Sequence, residues 1–413
     1  MLKSAAAILI VIAACSLAAC GSGDSEETSR TLRIYVSAPM TAGRGGADTA
    51  RAVDIAVENA GGRIDGAALE VVSLNDAALD GRFDPALVRK NATRAAHDNT
   101  AIAYIGETDS GATEISMPIL NRAGILQVSS ASTAVNLTEP DAAEKKRFRP
   151  TGVRTFGRVV PNDHVQAGAL VQFMHEESVR HLYEVDDGST YGTGLRKLVN
   201  GLAGKGGVRV VGGETVGYDT KAHALARKVD ESGAEAFFFA GSDLPTARRL
   251  FRAIHHDDPH VKLFGGDGLA VNGFVSRLGQ AELDTYVTAP MLPQGNYARS
   301  GEDFLEGFRK EVGRDAEPMS VFGYEAGSIV VDSIRDGTEG DITTEPITDL
   351  RIDTRNAFFD TFERASPLGS YTIDVNGDTT LTYYGAYRME NGALVLGRTI
   401  DVPPRMLQEV AEQ

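Results

Sequence analysis

The chain has 413 residues, with 41 basic and 57 acidic side chains and a formal net charge of −16. Because single hydrophobic cores stop growing at about 250 to 300 residues, this length predicts more than one domain. The acidic balance argues against nucleic-acid binding, which depends on a basic surface. We therefore expect a multi-domain protein with no nucleic-acid partner.

The N-terminus predicts export and a lipid anchor. Lys3 precedes an apolar run from Ala5 to Ala19 in which only Ser16 is conventionally polar, and this layout is typical of a secretory signal peptide. The run is shorter than the roughly 20 apolar residues that span a bilayer comfortably. It ends in Leu17-Ala18-Ala19-Cys20, which resembles the bacterial lipobox. We predict a lipoprotein signal peptide over residues 1–19 and a lipid on Cys20; an ordinary signal peptide that contains a cysteine is the alternative.

The residues after the signal predict a tether. Residues 20–31 are mostly small and polar, a composition typical of flexible linkers. Cys15 and Cys20 are the only cysteines, so the exported chain is expected to contain no disulfide and no cysteine-based metal site. We expect no metal and no cofactor, and we treat residues 403–413 as a C-terminal tail.

From Leu32 onward, short β-rich runs alternate with helical segments, which indicates βαβ units and parallel sheets. Asp84 followed by Pro85 predicts a helix start. The first series has predicted strands at Leu32–Ser37, Leu69–Leu74, Ala101–Ile105 and Leu126–Ser129, with helices at 48–59, 85–97 and 111–121. The second has predicted helices at 164–177, 193–202, 221–231 and 244–255, with strands at 181–185, 208–211, 236–240 and 262–264.

The C-terminal third predicts a strand over 285–289, helices over 302–312 and 321–334, and a β-rich tail. In that tail we expect strands over 371–374 and 380–389, with turns at 375–378 and 390–392. Asn391-Gly392 between strand-like runs is a strong hairpin signal. The fold class is therefore α/β, with two Rossmann-like lobes.

Two clusters of hydroxyl side chains mark the candidate site. Ser110 and Thr113 follow one predicted strand, and Ser129–Thr133 follow the next. Ligands of open α/β sheets bind at the carboxyl ends of the strands. Backbone N–H groups at the start of the helix after Ile105 favour an anion. We expect hydroxyls and amides to hold a carboxylate here; ordinary capping and turn chemistry is the alternative.

At these residues the chain resembles the type I periplasmic binding proteins of the leucine/isoleucine/valine-binding group. The landmarks are Pro39-Met40-Thr41, Ile105-Gly106 with Ser110 and Thr113, Gly124-Ile125-Leu126, Arg149, Val160-Pro161-Asn162-Asp163 with Gln166, Tyr191-Gly192, Gly265-Gly266-Asp267-Gly268, Gly369 and Asp374–Asp378. The resemblance implies two lobes joined by a three-segment hinge, with crossings near 151–155, 285–290 and 365–368. It assigns 32–152 plus 289–365 to lobe 1 and 153–288 plus 366–402 to lobe 2.

The resemblance also implies ligand contacts. Ser110, Ala131, Ser132 and Thr133 match the region that holds a ligand carboxylate. Asp267 matches an acidic position that pairs with the ligand ammonium, although the leucine binders carry glutamate there.

Further cleft positions follow from the same resemblance. Tyr191 lines the cleft from the second lobe. Ser242 stands where a tyrosine is frequent, which weakens that expected contact. Asp109 lies next to Ser110, and its charge would repel a carboxylate if it pointed inward.

These observations predict a non-enzymatic, extracytoplasmic lipoprotein of an ABC importer that closes on an amino-acid-like solute. Its expected partners are the ligand, a membrane permease and, through the lipid, the membrane; we expect a monomer. A ligand sensor that signals to a membrane receptor is the main alternative, and a serine-dependent hydrolase is another. The run His255–His260 invites a metal interpretation, but we interpret it as a solvated loop that ends a helix.

Overall fold

The computed structural model describes residues 30–403, apart from 42, 80, 272, 273, 275 and 339. Its described part forms two sheets, each flanked by helices. The predicted signal peptide, Cys20 and nearly all of the predicted tail lie outside the described residues. Among the described helices, none combines the length and the apolar character needed to cross a membrane.

The first lobe contains a six-stranded sheet in the order β2-β3-β1-β4-β5-β6. Its strands are β1 (Thr31–Ala38), β2 (Arg63–Ile64), β3 (Ala67–Asn75), β4 (Ala101–Ile105), β5 (Leu126–Ser129) and β6 (Phe156–Arg158). All neighbours pair in parallel except β2, which is antiparallel to β3. The carboxyl ends of β4 and β5 therefore lie side by side at one edge of the sheet.

The second lobe contains a seven-stranded sheet in the order β15-β14-β11-β10-β9-β7-β8. Its strands are β7 (His181–Asp186), β8 (Arg209–Thr215), β9 (Ala236–Ala240), β10 (Lys262–Gly265), β11 (Thr285–Ala289), β14 (Tyr383–Glu390) and β15 (Ala393–Asp401). Phe237, Phe238 and Phe239 of β9 are all fully buried. Consecutive burial is expected because helices cover both faces of a central parallel strand. The Asn391-Gly392 turn joins β14 to β15 as predicted.

Helices cover both sheets. The described helices are α1 (Gly45–Asn59), α2 (Pro85–Ala96), α3 (Ser110–Arg122), α4 (Ala142–Phe148), α5 (Asp163–Glu176), α6 (Thr190–Ala203), α7 (Ala222–Glu231), α8 (Leu244–Asp257), α9 (Arg299–Val312), α10 (Ser320–Gly337) and α11 (Ile347–Phe359). The Asp84 carboxylate caps α2, accepting from Ala86 N at 2.7 Å. α10 packs against α1, α9 and α11, so the chain after the second sheet returns to the first lobe.

Helix α11 completes the first lobe through a buried arginine. The Arg351 guanidinium donates to the carbonyls of Asp98, Ala101 and Ala123 at 2.8 to 3.0 Å. Bonds from a charged donor to carbonyls satisfy a guanidinium that burial removes from water. One side chain thereby fixes α11 across the amino ends of β4 and β5.

The first crossing between lobes lies later than expected. β6 pairs with β5 in the first sheet, so the chain leaves this lobe after Arg158 and not at 151–155. The third crossing contains a short hairpin of β12 (Arg364–Ser366) and β13 (Gly369–Tyr371). Helices α4 and α11 were not predicted. The expected strand over 371–374 is reduced to β13 and a single bridge between Ile373 and Thr379.

Candidate ligand-binding cleft

The two hydroxyl clusters meet at the carboxyl edge of the first sheet, as predicted. The hydroxyls of Thr113 and Ser132 lie 2.7 Å apart. Ser129 and Ser132 both donate to the carbonyl of Glu107, at 2.7 and 2.9 Å. Because its hydroxyl is used in these internal bonds, Ser132 shapes the loop.

Ser110 lies at the start of α3 and is buried. Its hydroxyl oxygen accepts from Ala134 N at 3.2 Å. A hydroxyl that accepts one bond still has its hydrogen to donate. Thr133 is buried beside it, whereas Ala131 is half-buried. This loop can therefore offer a hydroxyl hydrogen to a bound carboxylate.

Asp109 occupies the helix end at which we expected an anion. Its carboxylate accepts from Gly111 N at 2.8 Å and from Ala112 N at 3.3 Å, so it is the N-cap of α3. These amides would otherwise be available to a ligand. The expectation that the α3 terminus binds the ligand anion is therefore wrong: the chain supplies its own carboxylate there.

The second lobe contributes Tyr191 and Asp267. The Tyr191 hydroxyl donates to Asp267 Oδ1 at 2.6 Å and lies 3.1 Å from the side-chain oxygen of Gln166. A Cβ at Gly266 would lie 2.3 Å from the Tyr191 hydroxyl oxygen. Glycine at this position is therefore required for the close approach of tyrosine and aspartate.

Asp163, at the start of α5, joins the two halves of the site. Its backbone N–H donates to the carbonyl of Thr133 at 2.9 Å. The residue is buried, and its carboxyl group lies beside the Thr133 side chain, which favours the ionised form of Asp163. A buried carboxylate has several acceptor positions, so it can also accept hydrogen bonds from a ligand. Sequence reasoning gave Asp163 no role, although it follows Pro161-Asn162 at the lobe crossing.

Burial and a neighbouring charge raise the pKa values of the carboxyl groups in this site. Burial raises the pKa of Asp163 to about 8, and the negative charge of Asp267 adds to the rise. Burial also raises the pKa of Asp267, while the bond from Tyr191 opposes that rise. Burial raises the pKa of Asp109 as well, whereas the hydrogen bonds from the backbone amides of Ala112 and Gly111 lower it. A cation close to Asp163 and Asp267 would favour the ionised form of each.

A buried arginine joins this site to the third crossing. Arg158 is fully buried, and its Nε lies 2.5 Å from Asp378 Oδ1. The same guanidinium donates to the carbonyls of Ser132 and Ala134, each at 2.9 Å. The backbone around Thr133 is thus held by a residue whose partner lies more than 200 positions away in the chain.

The lobes also touch at the cleft. α3 packs against α6, and the Thr190 hydroxyl lies 3.5 Å from Glu114 Oε1. Ser242, expected in the cleft, has an exposed side chain and donates its backbone N–H to Asp187 at 2.8 Å. Of the second-lobe residues expected at the ligand, Tyr191 and Asp267 are brought together and Ser242 lies at the rim.

Two α/β lobes that meet at a polar site are the architecture of two-lobed solute-binding proteins, which close around a ligand. The chain belongs to the periplasmic binding protein family, whose sequence profile matches residues 33–366. Membership implies an extracytoplasmic location and a binding fold. This agrees with the resemblance found in the sequence.

Known proteins support the same assignment. An amino acid binding protein of Pseudomonas aeruginosa is 26% identical over 270 residues, which cover 64% of this chain and 67% of that protein. A leucine binding protein of Thermotoga maritima superposes with a TM-score of 0.77 at 20% identity, over 90% of this chain and 99% of that one. A solute binding protein of an ABC transporter from Rhodopseudomonas palustris, in complex with p-hydroxybenzoic acid, superposes with a TM-score of 0.75 at 15% identity. The superposition covers 93% of this chain and 100% of that one. At these identities the two structures establish the fold.

Proposed function

We propose that this protein is the solute-binding component of an ABC importer and captures a zwitterionic amino acid between its lobes. The observation that carries the proposal is that two buried acidic groups, Asp163 and Asp267, lie close to the hydroxyl loop of Ser110 and Thr133, with Asp163 bonded directly to Thr133. In this proposal the two acids bind the ammonium group of the ligand, and the hydroxyl loop binds its carboxylate. An α-amino acid carries both groups.

Closure follows from the division of these contacts between lobes. Ser110 and Thr133 belong to the first lobe, and Tyr191 and Asp267 belong to the second. A ligand that contacts both sets only in the closed form stabilises that form by the difference in binding free energy. We propose that the hinge consists of the chain after Arg158, the segment after β11 and the segment around β12 and β13.

The lipid anchor is part of the proposal. Cys20 as the lipidated residue would keep the binding protein beside its transporter, where tethering raises the effective concentration. Cells fed a labelled fatty acid should incorporate the label into the wild-type protein and not into Cys20→Ala. Equal labelling of the two proteins would show that Cys20 is not the lipidated residue.

Thermal-shift screening tests the ligand class directly. The panel should contain L-amino acids, their amides, polyamines and anions such as p-hydroxybenzoate. A bound ligand raises Tm by mass action. We expect one or more amino acids to raise Tm and p-hydroxybenzoate to leave it unchanged, because it lacks the ammonium group that Asp163 and Asp267 require. A shift with the benzoate and none with amino acids would overturn the assignment.

A further inference from the structure

Three metal-ligating side chains converge on the outer surface of the second lobe, on α7 and α8. His223 lies in the first turn of α7, and His256 and Asp257 end α8. His223 Nδ1 lies 3.3 Å from both carboxyl oxygens of Asp257. His256 Nδ1 lies 3.0 Å from Asp257 Oδ1. All three residues are placed so that one ligand atom of each lies within 4.8 Å of the others.

These separations match those around a tetrahedral ion. Zinc binds imidazole nitrogen and carboxylate oxygen at about 2.0 to 2.2 Å. Two ligands of a tetrahedral ion with such bonds are therefore about 3.3 to 3.6 Å apart. The nitrogen–oxygen distances of the cluster are 3.0 and 3.3 Å. The two imidazoles lie within 4.8 Å of each other, so an ion can enter if the exposed histidine side chains rotate by about an ångström.

We propose that His223, His256 and Asp257 form a binding site for a divalent transition metal ion of the zinc type. Two imidazoles and one carboxylate suit zinc, copper or nickel better than magnesium or calcium, which prefer all-oxygen ligands. Three protein ligands leave at least one position for water. The site lies on the outer surface of the lobe and is independent of the ligand proposed for the cleft.

The three ligands could not be identified from the sequence, because they are not consecutive in the chain. The run His255–His260 contains two of the three ligands, but His255 is paired with Asp284 at 3.1 Å. His260 is exposed, and its backbone N–H donates to Asp258. The third ligand, His223, comes from a different helix, more than 30 positions earlier. Only the packing of α7 on α8 assembles the site.

Its environment limits the affinity. A groove of about 700 Å³ next to His223 and His256 is also lined by Arg248, Arg249, Arg252 and Arg277. The positive charges of these arginines repel a metal cation at the site, and salt screens this repulsion. The imidazoles are well exposed, with 63% and 78% of their side-chain surface accessible. We expect a Kd on the order of micromolar, weaker than a buried four-ligand zinc site.

Isothermal titration of the untagged protein with ZnCl₂ tests this site. We expect about one equivalent of zinc to bind and MgCl₂ to give no heat. His223→Ala and His256→Ala should each weaken binding at least tenfold, and Asp257→Asn should also weaken it. His260→Ala is the matched control, because it removes an exposed histidine of the same region, and it should bind as the wild type does.

A second measurement reports on the ligands themselves. Zinc should shift the imidazole NMR signals of His223 and His256 and leave that of His260 in place. The proposal is overturned if His223→Ala binds zinc as tightly as the wild type, or if zinc shifts the His260 signal and not the other two. Asp267→Asn should leave zinc binding unchanged, which separates a failure here from a failure of the proposed cleft.

Discussion

The Tyr191 hydroxyl donates a hydrogen bond of 2.6 Å to the carboxylate of Asp267. Both residues belong to the second lobe, and the bond fixes the direction of the carboxylate towards the cleft. Asp163 and Thr133 approach the same place from the lobe crossing and the first lobe. This arrangement leads to predictions about ligand affinity and its pH dependence.

Removing the Tyr191 hydroxyl should weaken ligand binding. The bond orients Asp267 and favours its ionised form, so Tyr191→Phe should weaken the contact of Asp267 with the ligand ammonium and raise the Kd by up to roughly tenfold, the equivalent of about 1.4 kcal/mol. Titration calorimetry with the amino acid that gives the largest thermal shift measures the effect. Tyr183→Phe is the matched control, because it removes a hydroxyl that bonds Glu214 on β8, and it should leave the Kd unchanged. Equal Kd values for both variants would argue against a role for Tyr191.

A methyl group at Gly266 should disturb the same pair without changing any polar group. The added Cβ would lie 2.3 Å from the Tyr191 hydroxyl oxygen and 3.0 Å from Leu195. Gly266→Ala should therefore move Tyr191 and weaken binding. Gly307→Ala in α9 meets no atom within 4 Å and should leave the Kd unchanged while raising stability by up to about 1 kcal/mol. Unchanged affinity in Gly266→Ala would show that ligand binding does not depend on the position of the Tyr191 hydroxyl.

Ligand affinity should rise with pH up to about 8. The pKa of Asp163 is about 8 in the folded chain and about 3.9 when unfolded. Between these values the free folded protein keeps a proton that the unfolded chain releases, so its stability should fall as pH rises through this window. A ligand ammonium favours the ionised form, so binding below pH 8 releases a proton. Calorimetry in buffers of different ionisation enthalpy detects that proton.

The same experiment has a direct control. Asp163→Asn cannot ionise and should bind with a smaller pH dependence and less proton release. Burial also raises the pKa of Asp267, so Asp267 favours proton release on binding too. Asp163→Asn should therefore retain part of the pH dependence. Proton release that is identical in wild type and Asp163→Asn would contradict the assignment.

The buried pair of Arg158 and Asp378 should be important for stability. Breaking a buried ion pair by removing one partner costs about 3 to 5 kcal/mol, so Arg158→Ala should lower the free energy of unfolding by that amount in urea. Arg158→Lys keeps the charge but loses the bonds to the carbonyls of Ser132 and Ala134, and it should fall in between. Lys310→Ala breaks an exposed pair with Glu306 and should have a far smaller effect. Similar losses for Arg158→Ala and Lys310→Ala would refute this role.

Much of the fold could be predicted because the signals were local. Short β-branched runs and helix starts such as Asp84-Pro85 gave the strands and helices of both lobes. α11 was missed because its buried face carries Arg351 and Thr354 among the apolar residues, which hides the helical pattern. The first crossing was placed too early because β6 has only three residues.

The site could be predicted only in part. The hydroxyl clusters lie on neighbouring strands, so their contact follows from the order of β4 and β5. Asp109 could have been recognised as an N-cap from its position before Ser110-Gly111. The role proposed for Asp163 depends on its proximity to Thr133 and Asp267, which come from different lobes. No local sequence pattern predicts a contact between residues so far apart in the chain.

Calorimetric binding of one amino acid and its deaminated analogue tests the central claim most directly. The amino acid with the largest thermal shift should bind the wild type, whereas the analogue, which keeps the carboxylate and lacks the ammonium, should bind at least tenfold more weakly. Asp163→Asn and Asp267→Asn should each remove most of that difference. Equal affinity for the two compounds, or an undiminished preference in both variants, would contradict recognition of the ammonium by Asp163 and Asp267.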